Sequence, residues 1–144
     1  MKIHGEWIIT LVRNVLVRTT FGGFNEEGTW ACFLDTKQKA PVGSTWAGLT
    51  NASHWEMSSI DSLRAFPEMR EWAFAHGCVC LAVVVPDALR QEIHQRRTGN
   101  LPENLVHYFS TLEDACSWLT ARGFAFSVAD YPHEDFIEKM QEIY

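Results

Sequence analysis

Cys78-Val-Cys-Leu-Ala-Val-Val-Val85, closed by Pro86, is the stretch that decides the fold of this chain. No other strand-like run in the sequence is apolar on both of its alternating faces. A strand that is covered on both sides needs helices above and below it, as in parallel α/β sheets. Helical patterns precede and follow the run, so we expect it to form the centre of a sheet in a single α/β domain.

Two β-branched runs near the start of the chain predict an antiparallel hairpin. They are Trp7–Arg13 and Val15–Phe21, and Asn14 between them tolerates the left-handed conformation of a tight turn. Asn25 is followed by two glutamates, which favours a helix N-cap at that position. The helix should run to about Lys39. Its inward side is expected to carry Trp30, Phe33 and Leu34.

The next part of the chain predicts a strand, a loop and a helix. Thr45–Thr50 reads as a short third strand, and Asn51–Met57 reads as a polar and aromatic loop. Ser58 and Asp61 resemble a capping box, so a helix should begin at Ser59 and end near His76. Pro67 then predicts a kink or a fresh helical start.

After the central run, a surface helix is predicted from Pro86 to about Thr98, and a fifth strand, nearer the sheet edge, over Leu105–Phe109. Ser110 and Glu113 form a Ser-x-x-Glu capping box for a further helix, which Gly123 terminates. Strands and helices therefore alternate after the initial hairpin. This order predicts one mixed sheet of about five strands covered by helices.

Residues 124–144 form what we call the C-terminal extension, beyond a domain that spans residues 1–123. Phe124–Ala129 alternates in polarity like a strand, and Pro132–Tyr144 has the pattern of an amphipathic helix. Such an apolar surface must be covered. We expect it to pack on its own sheet or on a partner subunit in a symmetric dimer.

Composition excludes several classes of function. The 144 residues carry a formal net charge of −6 and contain no basic stripe, which argues against a nucleic-acid partner. No apolar run approaches the roughly 20 residues that span a bilayer, and the N-terminus lacks the pattern of a signal peptide. The four cysteines fall in predicted helices and strands, so we expect reduced thiols in a cytoplasmic protein.

Several short motifs resemble those of the SpoIIAA-like branch of the STAS superfamily. The resemblance covers roughly Trp7 to Leu119. In addition to the Val-rich central strand, it is carried by Gly23-Phe-Asn-Glu-Glu27, Trp72-Ala73, Ser110-Thr-Leu-Glu-Asp-Ala115 and Trp118-Leu119. It implies a STAS-type α/β fold, and a relation to sulphate-transporter and anti-sigma-antagonist domains.

The resemblance also suggests two kinds of site. Regulatory members are phosphorylated on Ser or Thr after the third strand, within an Asp-Ser-Ser/Thr-Gly type motif. The corresponding stretch here, Asn51-Ala-Ser53-His54, lacks the Asp and the Gly. If a phosphoacceptor exists, Ser53 is preferred, with Ser58 and Ser59 behind it. The branch is also similar in shape to lipid-carrying Sec14-type domains, which implies an apolar groove as an alternative.

Catalytic and metal chemistry have weak support in the sequence. There is no nucleophile elbow, P-loop or dinucleotide glycine pattern. His76, Cys78 and Cys80 would share one face of an extended strand, yet no fourth ligand is nearby and structural packing explains them better. We therefore predict no catalytic residue, metal or cofactor.

Aromatic side chains around the predicted loop after the third strand mark the leading candidate for a ligand or partner surface. Its members are Trp46, Asn51, His54, Trp55, Trp30 and Trp72. Together these features predict a non-enzymatic regulatory or protein-interaction module, with protein partners or self-association. The alternative is a carrier of a small apolar ligand or lipid.

Overall fold

The computed structural model describes residues 3–57, 64–89 and 105–144. The elements in chain order are β1 (Glu6–Val12), β2 (Val15–Phe24), α1 (Glu26–Lys39), β3 (Trp46–Met57), α2 (Ala65–Ala75), β4 (Cys78–Val84), β5 (Val106–Phe109), α3 (Leu112–Ala121) and α4 (Glu134–Ile143). A single 3-10 turn, Val128–Asp130, precedes α4.

One mixed sheet organises the described residues. Its strand order is β1-β2-β3-β4-β5. β1 pairs with β2 antiparallel, and the other neighbours are parallel. The predicted five-stranded mixed sheet with an initial hairpin is confirmed, and β5 lies at an edge as expected. β4 is interior, but the middle strand is β3, because the hairpin adds two strands on one side of β3.

The hairpin turn is confirmed one residue earlier than the sequence suggested. Arg13, with φ of 54°, holds the left-handed conformation that was predicted for Asn14. The Arg13 guanidinium donates to the carbonyl oxygen of Ala125 at 2.7 Å and pairs with Asp130 at 3.2 Å. The turn is therefore tied to the C-terminal extension.

The predicted loop at 51–57 is wrong, because β3 continues through it to Met57. β2 is ten residues long and pairs with β3 as far as Phe24 opposite Met57. The hydrogen bonds of this ladder outweigh the polar composition that suggested a loop. A register shift at Thr19 and Phe21, opposite Asn51 and His54, accommodates one extra residue in β3.

Each face of the sheet is covered by a different layer. On one side, which we call the α3 face, Val17, Leu49 and Ala82 are buried under α3 and the C-terminal extension. On the other side, the α1–α2 face, Leu16 and Trp46 are buried under the two earlier helices. The expectation of helices on both faces is confirmed.

The first half of the C-terminal extension packs on the α3 face without forming a strand, so the predicted strand at 124–129 is wrong. Phe124 and Phe126 do alternate inward and are buried. Their backbone groups bond to the end of α3 instead of to a strand: the Phe124 amide donates to Leu119, and the Phe126 amide to the Thr120 hydroxyl. With its backbone already bonded to α3, this segment adds no strand to the sheet.

The inward side of α1 differs from the prediction. Phe33 is buried, whereas Leu34 is 59% exposed and Trp30 is half-buried. The buried positions of α1 are Gly28, Thr29, Cys32, Phe33 and Thr36. These positions recur at intervals of three and four residues, so Leu34 lies on the opposite side of the helix.

The start of α2 fits the predicted fresh helical start near Pro67, whereas the cap of α3 differs from the prediction. α2 begins at Ala65, so Pro67 lies in its first turn, where its missing N–H costs no intrahelical bond. The predicted start at Ser59 lies outside the described residues. The cap of α3 is Thr111, which accepts from the Asp114 amide, and the Ser110 hydroxyl donates instead to Asp87. Of the helix predicted from Pro86, residues 86–89 are described, and 87–89 are helical.

The packing of the C-terminal extension predicts a strong dependence of stability on Phe126. Replacing Phe126 by Ala should lower the free energy of unfolding by about 3–5 kcal/mol, because it opens a cavity in the core of the α3 face. Val128→Ala, two residues away and 42% exposed, is the matched control and should change it by less than about 0.5 kcal/mol. Urea unfolding of both variants measures this, and equal midpoints would contradict the packing.

Candidate functional site

The six residues expected to form one surface are divided between two sides of the sheet. Trp46, Trp55 and Trp72 line a cavity on the α1–α2 face. Asn51 and His54 lie on the α3 face, where they contact Tyr131 and Phe21 respectively. Trp30 stands apart on α1, with its ring 5.7 Å from that of Phe33. The structure thus brings three of the six together.

The cavity lies between the sheet and helices α1 and α2. Its volume is about 110 Å³, and it is partly open to solvent. Most of its lining is apolar. The apolar side chains that enclose it include Leu16, Phe24, Phe33, Trp46, Trp55, Phe66, Trp72, Leu81 and Val83. Gly48 in the floor has no side chain, and an added Cβ there would meet the side chain of Leu81.

A polar group occupies the end of the cavity under α1. Arg18 on β2 donates to the hydroxyls of Thr36 and Thr50, each at 3.1 Å. Arg18 and Thr50 are direct partners in the β2–β3 register, and Thr36 reaches down from α1. Thr20, two residues after Arg18, also lines this end. The alternation of Arg18 and Thr20 along the chain is a signal for this polar group that the interpretation of the hairpin did not use.

A second arginine lines the cavity from α2. Arg70 is buried, donates to the hydroxyl of Tyr108 on β5, and lies 5.5 Å from the centre of that ring. Its guanidinium also lies 6.0 Å from the Phe66 ring. Cation–π contacts with these rings stabilise the charge of the Arg70 guanidinium in this partly desolvated environment.

On the α3 face, a buried polar network joins the C-terminal extension to the sheet. His133 is 1% exposed, and its two ring nitrogens contact the hydroxyls of Thr10 and Thr19, each at 2.8 Å. The Thr19 hydroxyl also contacts the Tyr131 hydroxyl at 2.5 Å. Asn51 donates to Tyr131 at 3.0 Å. No motif in the sequence indicated this network. Three of its contacts join residues that are more than 100 positions apart along the chain.

Burial sets the protonation of this network. It lowers the pKa of His133 to about 4, so the ring is neutral at neutral pH. Burial also raises the pKa of Tyr131, against the hydrogen bonds from Thr19 and Asn51. A neutral imidazole has one donor and one acceptor nitrogen, which matches two hydroxyl partners.

The candidate phosphoacceptors fall in or beyond β3. Ser53 is half-buried, and its amide and hydroxyl both donate to the side-chain oxygen of Asn51, at 3.1 and 2.6 Å. Ser53 therefore belongs to a strand that joins the buried network, not to a loop. Ser58 and Ser59 lie outside the described residues.

His54 contributes to a small aromatic cluster at the far end of the α3 face. Its ring stacks on Phe21 with centroids 5.3 Å apart. Tyr144 contacts the same Phe21 ring at 5.8 Å and is 70% exposed. The end of the chain therefore lies beside the strand residues that the sequence singled out.

The expected shared face of His76, Cys78 and Cys80 is wrong. Cys78 pairs with Trp46 and Cys80 pairs with Ala47, and a register shift lies between these two pairs. Cys78 therefore belongs to the core of the α1–α2 face, and Cys80 belongs to the core of the α3 face. Both thiols are free and buried, and burial raises the pKa of Cys78 to about 12. Within residues 3–57, 64–89 and 105–144, no group of three or more His, Cys, Asp or Glu side chains is placed to hold a metal ion.

No helix among the described residues is both long and apolar enough to cross a bilayer.

The fold and these sites define an α/β layered domain with a hairpin-led mixed sheet, a cavity on one face and a C-terminal segment on the other. This fold is that of an anti-sigma factor antagonist from Mycobacterium paratuberculosis, whose crystal structure matches with a TM-score of 0.53. The match covers 82% of this chain and 93% of that chain, at 20% sequence identity. The predicted SpoIIAA-like fold is thereby confirmed. No family model and no curated protein matches the chain.

The depressed pKa of His133 predicts a specific dependence of stability on pH. Since the folded ring binds a proton only near pH 4, and the unfolded ring near pH 6.5, stability is complete above pH 6.5 and is lost as the pH falls. This residue alone should lower the free energy of unfolding by about 3 kcal/mol between pH 7 and pH 4.

The test compares urea unfolding of the wild type with His133→Gln at pH 7, 6, 5 and 4. The variant should show a shallower decline by about that amount. His107→Gln, at an exposed position on β5, serves as the control and should retain the wild-type decline. Parallel curves for the wild type and His133→Gln would show that the buried ring does not control acid stability.

Proposed function

We propose that this chain is a non-enzymatic regulatory module that acts by binding a protein partner. The observation that carries this proposal is the fold shared with an anti-sigma factor antagonist over most of both chains. That neighbour is named for opposing another protein, an anti-sigma factor, which supports a protein partner for the fold. The same likeness to an anti-sigma factor antagonist leads us to propose a cytoplasmic location.

The outer side of α1 is the partner surface that we favour. Leu34 is 59% exposed, and Trp30, one turn earlier on the same side, is half-buried. Tryptophan is among the side chains that most often anchor protein interfaces, and the exposed Leu34 beside it extends the apolar surface that a partner would cover. Trp30 already belongs to the surface that the sequence suggested.

Self-association through the C-terminal extension has less support. Phe124, Phe126 and Met140 are buried within the same chain, so they offer no surface to a second copy. Tyr144 and Ile143 remain exposed at its end.

Phosphorylation of Ser53 remains a proposal for how the module is switched. A phosphate there would remove the hydroxyl bond to Asn51, which in turn donates to Tyr131. The expected result is a loosened C-terminal extension. Incubation with lysate and ATP, followed by phosphopeptide mapping, tests whether Ser53 is phosphorylated. Label found only outside residues 51–59 would exclude this stretch as the site of phosphorylation.

A carrier of a small apolar ligand is the second candidate, and the cavity on the α1–α2 face is the observation that favours it. At about 110 Å³ it is smaller than the several hundred Å³ of a typical drug-sized site. It therefore suits a compact ligand and not a whole lipid.

The proposed partner surface predicts that a charge at Leu34 abolishes partner binding. Leu34→Glu places a carboxylate in the apolar contact, whereas Gln141→Glu adds the same charge at an exposed position on a different helix, α4. The measurement is quantitative affinity capture from cells that contain the protein, followed by mass spectrometry. A partner recovered by the wild type and Gln141→Glu, but reduced at least tenfold by Leu34→Glu, is the expected result.

Two outcomes would contradict the proposal. If the wild type enriches no protein over an unrelated bait, the role as an interaction module is wrong. If Leu34→Glu and Gln141→Glu recover a partner equally, the surface on α1 is wrong.

A further inference from the structure

The cavity on the α1–α2 face contains a buried hydroxyl that the described residues leave unsatisfied. The Oγ1 atom of Thr20 has no hydrogen-bond partner in that part of the chain. Thr20 is only 7% exposed and lines the cavity. Buried polar atoms of native proteins nearly always have a partner. A group that enters the cavity would supply the missing one.

Arg18 lines the same cavity, two residues before Thr20 on β2. Residues two apart on a strand point to the same side, so Arg18 and Thr20 both face the cavity. The guanidinium donates to the neutral hydroxyls of Thr36 and Thr50. Ion pairs in the described ranges join Arg13 to Asp130 and Lys39 to Asp35, and none involves Arg18. Its positive charge is therefore uncompensated by those residues, although the side chain is more than half buried.

The titratable neighbours of Arg18 do not neutralise it. Burial raises the pKa of the Cys32 thiol, although Arg18 acts in the opposite direction, so the thiol is uncharged at neutral pH. Asp35 on the same helix accepts from the Trp7 indole at 3.0 Å and from Lys39 at 3.2 Å. It is committed to partners on the outside of the cavity.

We infer that this cavity binds a small aliphatic carboxylate, with the carboxylate on Arg18 and Thr20. An ionised carboxylate accepts hydrogen bonds only, and in this cavity a guanidinium and a hydroxyl without a partner lie on the same side of β2 as possible donors. The aliphatic body would lie among Trp55, Leu81 and Val83 on the apolar side of the cavity. The protein-binding role does not depend on this site.

The volume sets the size of the ligand. A sealed apolar cavity of about 150 Å³ holds benzene. The cavity here measures about 110 Å³, so by the same proportion it encloses roughly four carbons, and its open side leaves room for the rest of a six-carbon chain. Sodium hexanoate is therefore the probe, and hexanamide is its uncharged counterpart of the same shape.

The experiment is an NMR titration of the full chain with each probe. Hexanoate should give saturable shifts at the amides of Gly48 and Thr50 and should bind at least tenfold more tightly than hexanamide. Arg18→Met, which keeps an apolar stem without the charge, should weaken hexanoate at least tenfold and leave hexanamide unchanged. Arg13→Met, on the exposed hairpin turn, is the matched control and should bind hexanoate like the wild type.

Thr20→Val provides a second, independent variant of nearly the same shape. It removes the unsatisfied hydroxyl, so the free protein should unfold at the same or a higher urea concentration while its affinity for hexanoate falls severalfold. The inference is overturned if hexanoate does not bind the wild type, or if it binds wild type, Arg18→Met and Thr20→Val equally. Neither result would affect partner capture, which depends on the outer side of α1.

Discussion

Parallel pairing of β3 with both of its neighbours is the constraint on which the rest of the structure depends. β3 hydrogen-bonds to β2 on one side and to β4 on the other. Its residues alternate between two buried faces, with Leu49 on one and Trp46 on the other. A parallel sheet buried in this way is stable only when both faces are covered by other elements. The helices and the C-terminal extension meet that requirement.

The two faces of the sheet are covered in different ways, and this difference determines which face can hold a binding site. On the α3 face, the C-terminal extension covers the sheet with the buried side chains of Phe126 and His133. Both ring nitrogens of His133 have a hydroxyl partner there. On the α1–α2 face, the helices leave a cavity with an unsatisfied hydroxyl at Thr20. A sealed face contributes stability, whereas an incompletely filled one can accept a ligand.

The likeness to an anti-sigma factor antagonist and the cavity lead to complementary proposals. A shared fold at 20% identity does not carry over a binding site, because function depends on particular side chains placed on a fold. The outer side of α1 and the interior cavity are separate surfaces joined by the same helix: Leu34 faces outward, and Thr36 contacts Arg18 inside. A ligand inside and a partner outside would therefore both contact α1.

The class of fold could be predicted from local patterns of residues. The hairpin, the apolar run at β4 and the periodicity of α3 depend on local patterns, and such patterns survive in the folded chain because each follows the geometry of its own element. Local signals also placed Gly123 at the end of α3, where its φ of 96° suits glycine. They misplaced Leu34 and the end of β3, since burial and strand pairing depend on neighbours elsewhere in the chain.

The sites, in contrast, depend on how the layers of the domain pack against one another. Trp55 and His54 are adjacent in sequence but lie on opposite faces of the sheet, so one apparent aromatic surface became two environments. Thr10 and His133 are 123 residues apart and meet at 2.8 Å. The unsatisfied hydroxyl of Thr20 and the uncompensated charge of Arg18 could not be predicted from the sequence, because both depend on which groups α1 and α2 place around them. Contacts between distant segments are set by how layers pack, and a single sequence read locally carries no record of that packing.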